Sequence, residues 1–140
     1  MNYIDAKIFL DTNIIAYIFD SRDVEKKQKA KEIFTKLVTE GNCHISTQVL
    51  QELYNVLTKK LKYSNEDARI IVRSLMNLDV YQVKTYDIAS AMDINISTQL
   101  TIFDSLILVA AKSAGCSIVY SEDLNDGQIV NGVQIVNPLK

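Results

Sequence analysis

Ile8-Phe9-Leu10-Asp11-Thr12-Asn13 decides the fold: an unbroken apolar run, then an acid, then two small polar residues. The run predicts a short strand over Lys7–Leu10. Apolar residues without alternation suit a strand covered on both faces, as in a parallel sheet. In such sheets ligands bind outside the carboxyl ends of the strands, so Asp11 stands where metal binding or catalysis would take place. Asp11-Thr12-Asn13 reads equally well as a polar turn with a helix cap.

Working outward, Ser117–Tyr120 predicts a second core strand and Val133–Val136 a third, ended by Pro138. Val80–Lys84 alternates as a strand does, and His44–Ile45 reads as an extended link. Between these lie helical patterns. Val24–Thr39 carries Ala30, Ile33, Phe34, Leu37 and Val38 on one stripe and stops at Gly41. Thr47–Leu61 carries Val49, Leu53, Val56 and Leu57. Ser64 followed by Asp67 fits a capping box opening a helix with Ala68, Ile71, Val72, Leu75 and Met76 inward. Tyr86–Ile96 predicts a helix with Ile88, Ala89, Met92 and Ile96 inward. Asp104–Ala114, apolar nearly all round and closed by Gly115, predicts a central buried helix. Strands alternating with helices give an α/β fold with a central, mainly parallel sheet flanked by helices.

With 140 residues, 48% hydrophobic and 23% charged, the composition suits one globular core and excludes disorder. No apolar stretch suggests a signal peptide or a membrane span, so the expected location is the cytoplasm. Cys43, Cys116 and the lone His44 have no zinc-ligand spacing and read as two reduced core thiols and a histidine. The net charge of −2 argues against coating nucleic acid by charge alone. Lys26–Lys36 and Lys59–Lys62 are lysine-rich, which usually means a solvated helix face, though the first stretch also suits an acidic partner or RNA.

The chemistry rests with the acids. Glu52 lies one turn from both Val49 and Val56, at the border of a buried stripe, and needs a partner there, a lysine or a metal. Asp104 sits at a helix start, where the dipole favours a carboxylate; Thr101 and Asp104 also have capping-box spacing. Asp123 and Asp126 follow the strand Ser117–Tyr120 within Ser121-Glu122-Asp123-Leu124-Asn125-Asp126-Gly127. That loop is turn-like and does not fit an EF-hand, because its glycine and its last acid are misplaced. Asp20 lies in a polar stretch away from these motifs and is expected to play no part, and no arginine is near them. If one sheet edge gathers Asp11, Glu52, Asp104 and Asp123, the all-oxygen set suits Mg²⁺ or Mn²⁺. Without metal such a cluster repels itself.

The arrangement resembles the PIN-domain family, and within it the VapC-type toxins of toxin–antitoxin pairs. The matching pieces are Phe9–Asn13, Ser46–Leu53, Phe103–Ile107 with the helix ended by Gly115, and Ile118–Leu124, with Val133–Pro138 similar to the family's closing segment. The resemblance spans nearly the whole chain. It implies that residues 1–140 form a single PIN-like nuclease domain, a metal-dependent endoribonuclease cutting single-stranded regions of RNA. Asp11, Glu52, Asp104 and Asp123 match the family's catalytic and metal-binding acids. Asn13 and Ser121 match its supporting polar positions, and Asp126 is an extra acid that could serve beside them. The resemblance also implies an antitoxin partner and a homodimer.

Two other readings are open. One is a PIN-like module that binds RNA or protein without cutting. The other is a phosphohydrolase forming an aspartyl phosphate on Asp11. Enzymes of the haloacid dehalogenase type place an acid–base Asp two residues on, where this chain has Asn13.

Overall fold

The structure is a computed structural model that describes residues 6–140. Its elements in order are β1 (Ile8–Leu10), α1 (Thr12–Ile18), α2 (Val24–Thr39), β2 (His44–Ser46), α3 (Thr47–Asn55) and a π-helical turn (Val56–Lys60). Then follow α4 (Asn65–Leu75), β3 (Asp79–Tyr81), α5 (Thr85–Thr98), α6 (Ile102–Ser113), β4 (Ile118–Tyr120), β5 (Ile129–Val130) and β6 (Val133–Val136). The sheet order is β3-β2-β1-β4-β6-β5, parallel throughout except for β5 against β6.

β1 is central because nothing in it tolerates water: Phe9 and Leu10 are fully buried, and strands lie on both sides. α6 packs on β2, β4 and β6, and its Ile107, Leu108, Ala110 and Ala111 are buried, as its continuous apolarity predicts. Gly115 ends it at φ 82°, a left-handed conformation that a residue with a Cβ resists. The α/β reading therefore holds, as do the boundaries of α2 and β6.

Several expectations change. His44–Ile45 is not a link but part of β2, hydrogen-bonded between β1 and β3; a three-residue strand has no room to show a period. β5 and helix α1 escaped the sequence for the same reason of brevity. The strand expected over Val80–Lys84 is Asp79–Tyr81, and Lys84 instead caps α5. The helix from Thr47 does not run on regularly but widens into the π turn at Val56. Val38 and Met76 are exposed.

The largest change concerns α5. Ile88, Met92 and Ile96, expected inward, are 43%, 50% and 71% exposed. The inward positions are Asp87, Ala91 and Ile94. Asp87 overrides the apolar stripe because it is fully satisfied. Its carboxylate accepts from Tyr81 Oη at 2.7 Å, the Lys84 amide at 2.8 Å and Ser113 Oγ at 3.1 Å. It thereby joins β3, α5 and the end of α6. Burial pushes its pKa up, but these hydrogen bonds outweigh burial and hold it below the ordinary carboxylate value. Asp87→Ala should destabilise the protein by about 2–4 kcal/mol, since three donors lose a charged acceptor. Because a lowered pKa contributes stability only above the unfolded value, the difference from wild type should shrink as pH falls through that range. Urea melts at pH 7 and pH 3 check both.

Both cysteines are buried and unpaired, and burial raises their thiols to about 12, so they are inert packing groups. Among the described residues no helix is long and apolar enough to cross a membrane.

Candidate active site

The register of the parallel sheet builds the site. Ile8, Phe9 and Leu10 lie opposite Ile118, Val119 and Tyr120, so the next residues, Asp11 and Ser121, emerge side by side at the carboxyl edge. The Asp11 amide continues the ladder to the Tyr120 carbonyl at 3.0 Å, and Ser121 Oγ donates to Asp11 Oδ2 at 2.9 Å. Asp11 also caps α1, accepting from the Thr12 amide at 2.7 Å. The two readings of this motif, turn cap and cleft acid, are thus both realised in one residue.

Asn13, one residue into α1, ties the strand ends together. Its Nδ2 lies 3.2 Å from Asp11 Oδ2, 3.3 Å from Ser121 Oγ and 3.1 Å from Asp123 Oδ2, and its Oδ1 accepts from the Glu122 amide at 3.1 Å. Asp123 is fixed further by its own amide on Ser121 Oγ at 3.3 Å. Glu52 comes from α3, one turn after β2 ends. Thr12 Oγ1 donates to it at 2.8 Å, and Gln48 Nε2 approaches it at 3.4 Å while donating to the Phe103 carbonyl at 2.9 Å. Gln48 therefore links Glu52 to the start of α6. There Asp104 occupies the third position of the helix, its amide capped by Thr101 Oγ1 at 3.1 Å.

Asp11, Glu52, Asp104 and Asp123 line one cleft of about 230 Å³. Asp11 is only 6% exposed. Burial raises its carboxyl to about 6; the hydrogen bonds from Ser121 and Thr12 pull the other way, and the charges of Glu52 and Asp104 add to the rise. The cluster is self-repelling, as like charges in a shared pocket must be. As the side chains lie, no three acids, histidines or cysteines among the described residues close a cage around one point. Asp11, Glu52 and Asp123 are instead turned to hydrogen-bond donors: Thr12, Ser121 and Asn13 for Asp11, Thr12 and Gln48 for Glu52, and Asn13 for Asp123. The donor set itself, all hard carboxylate oxygen with no thiolate or imidazole, fits Mg²⁺ or Mn²⁺.

Asp126 does not join the cleft. It accepts from the Asn137 amide at 2.8 Å and pairs with Lys140 at 3.0 Å, pinning the chain end to the loop. Asp20, expected to lie apart, does line the cleft, but Arg22 clasps it through two bonds of 2.8 Å and holds it at about 2. Arg22 itself does not line the cleft; it touches Asp20, which does. Thr12, Tyr17 and Gln48 are not singled out by the sequence; a signal exists for Thr12 and Gln48, since one adjoins Asp11 and the other precedes Glu52 by one helical turn, and none exists for Tyr17. Lys60 belongs to the lysine-rich stretch Lys59–Lys62, which reads as a solvated helix face but lines the cleft.

Comparison with known proteins agrees with this architecture. The chain is 26% identical over 120 residues to "Ribonuclease VapC1" of Aquifex aeolicus, covering 84% of this chain and 81% of that protein. Its fold is shared with VapC20 of Mycobacterium tuberculosis, described as a sarcin-ricin loop cleaving toxin, at TM-score 0.66 and 17% identity over 84% of this chain and 90% of that one. It is shared equally with the DNA-bound VapBC structure from Salmonella typhimurium, at TM-score 0.67 and 21% identity over 93% and 96% of the two chains. The sequence model of the PIN domain matches residues 8–125, from β1 through the loop that brings Asp123 to the cleft, and this chain belongs to the PIN-domain family.

Proposed function

We propose that this protein is a metal-dependent endoribonuclease acting on single-stranded regions of RNA, and the toxin of a toxin–antitoxin pair. The observation that carries the catalytic part is the convergence of Asp11, Glu52, Asp104 and Asp123, from four separate elements, on one cleft. Without a cation this arrangement is costly to charge. The four acids would hold Mg²⁺ or Mn²⁺, which supplies water activation and stabilisation of charge building on the phosphate. The protein's own part is positional. Asn13 and Ser121 orient Asp11 and Asp123, Thr12 orients Glu52, and Gln48 sets the distance between α3 and α6. The similarity to a ribonuclease named VapC1, and to structures titled as toxins and toxin–antitoxin complexes, supports the biological role.

An aspartyl phosphate on Asp11 is disfavoured by geometry. Asn13 is committed on both ends of its amide and offers no acid or base to such a step. The purified protein should cut single-stranded RNA with Mg²⁺ or Mn²⁺, stop in EDTA and resume on adding metal back. RNA that is bound but never cut would favour the non-catalytic module instead.

The proposal includes an antitoxin and a second copy of the chain as partners. The α5 stripe of Ile88, Met92 and Ile96 repeats every fourth residue on one exposed face. A single such stripe is suited to a two-fold contact in which each copy offers the same face. Met92→Lys should leave the fold unchanged and convert a dimer to a monomer in light scattering. A wild type that stays monomeric at high concentration, or a variant that stays dimeric, would count against this interface.

A further inference from the structure

The cleft has two unlike walls. The acids form one. Ala16 and Tyr17 of α1 line the rest of the cleft, together with Val56, Lys60 and Leu61 from the π-helical turn and the residue after it. Carboxylate and metal chemistry requires nothing of this second wall, yet it is built with care. The Tyr17 hydroxyl donates to the Glu122 carboxylate, which pairs with Lys26 Nζ at 2.6 Å, and Lys26 Nζ also stands 5.1 Å from the centre of the Tyr17 ring. The Tyr17 side chain, which lines the cleft, is thus tethered before anything binds, with Lys26 over one face of its ring and the other face left for a ligand to meet.

Among the described residues, Lys60 is the one basic side chain lining the cleft. It is exposed and forms no ion pair among the described residues; Asp20, within reach of its charge, is already committed to Arg22. The chain reaches it by an irregular route. A π turn, a form that recurs at functional sites, ends at Lys60, and Lys62 then takes φ 63°, a region non-glycine residues avoid. Lys60 and Leu61, at the end of this turn, line the same cleft as the acids.

We propose that this wall is a subsite for one unpaired nucleotide next to the phosphate being cut. Its base stacks on the Tyr17 ring beside Val56 and Leu61, and its phosphate is drawn to Lys60. An aromatic face accepts any base but only one out of a duplex, so the wall selects single strands with little regard for sequence. This inference rests on the ribonuclease reading of the same cleft. Its test measures binding, so a failure of that reading would appear separately, in the cleavage assay.

The test uses fluorescein-labelled hexaadenylate and a six-residue abasic ribose-phosphate strand, with Mg²⁺ present. Both are titrated against the Asp104→Asn protein so that the strand survives. Tyr17→Leu, which stays apolar but has no ring, should weaken hexaadenylate about tenfold or more and leave the abasic strand unchanged, while Tyr17→Phe, which keeps the ring and loses only its tether to Glu122, should weaken hexaadenylate by no more than about threefold. Lys60→Ala should weaken both strands by a similar factor and flatten their salt dependence by about one ion. The proposal is overturned if Tyr17→Leu weakens both strands alike or neither, if Tyr17→Phe behaves as Tyr17→Leu, or if Lys60→Ala leaves both unchanged.

Discussion

Asp11→Asn and Asp104→Asn should each lower RNA cleavage by at least a hundredfold, the scale seen when one preorganised charge-stabilising group is removed from an active site, while circular dichroism and melting remain those of a folded protein. Both substitutions keep the side-chain shape and delete a charge. Asp11→Asn retains an oxygen to accept from the Thr12 amide, so the cap on α1 survives. Asp104 contributes its backbone amide, not its carboxylate, to the Thr101 cap, so α6 keeps its start. Asp126→Asn should cut at nearly the wild-type rate, because that carboxylate is occupied by Asn137 and Lys140 outside the cleft. Full activity in either cleft variant, measured on the same labelled RNA, would remove that residue from the site.

The second large effect is on stability, and its sign is opposite to that of Asp87. Asp11 has its carboxyl raised from 3.8 to about 6 by burial, with Glu52 and Asp104 adding to the rise. Between these values the folded protein holds a proton that the unfolded chain has released. Stability therefore falls as pH rises through this window, and the loss is complete above about 6. A shift of this size corresponds to about 3 kcal/mol in metal-free protein. Asp11→Asn imitates the neutral carboxyl and cannot ionise. Relative to wild type in EDTA, it should gain about 2 kcal/mol on going from pH 4 to pH 7, because the unfolded carboxyl is already partly ionised at pH 4. Urea unfolding at the two pH values measures this, and the difference between proteins cancels other titrations such as that of Asp87. A pH-independent difference would mean that Asp11 ionises freely in the fold.

Much of this was legible in the sequence, for identifiable reasons. Ile8–Leu10 and Ser117–Tyr120 are apolar runs ended by polar residues, and parallel-sheet geometry alone places those ends on one edge. The acids that follow those runs, Asp11 and Asp123, are therefore placed by the sequence alone. α6 was legible because it is apolar on every side. What failed was decided by tertiary context. β2 and β5 are too short to show a period, and the face of α5 was misjudged because a satisfied Asp87 can be buried while Ile88, Met92 and Ile96 are left outside. Asp20 was dismissed by its distance along the chain, yet α1 carries it back to the cleft. Tyr17 is invisible because its setting depends on where Glu122 and Lys26 meet it, and Lys60, visible only as part of a lysine-rich stretch, reaches the cleft through a π turn that no apolar stripe announces.

The central claim is that Asp11, Glu52, Asp104 and Asp123 form one site for a divalent cation. Melting of the metal-free protein with added Mn²⁺ tests it most directly. A ligand that binds only the folded state at a hundredfold above its dissociation constant stabilises by about 2.7 kcal/mol, or on the order of 5–10 °C for a domain of this size. The wild type and Asp126→Asn should show that full shift, and Asp104→Asn and Asp123→Asn a much smaller one. Equal shifts in all four proteins would place the metal elsewhere and contradict the account.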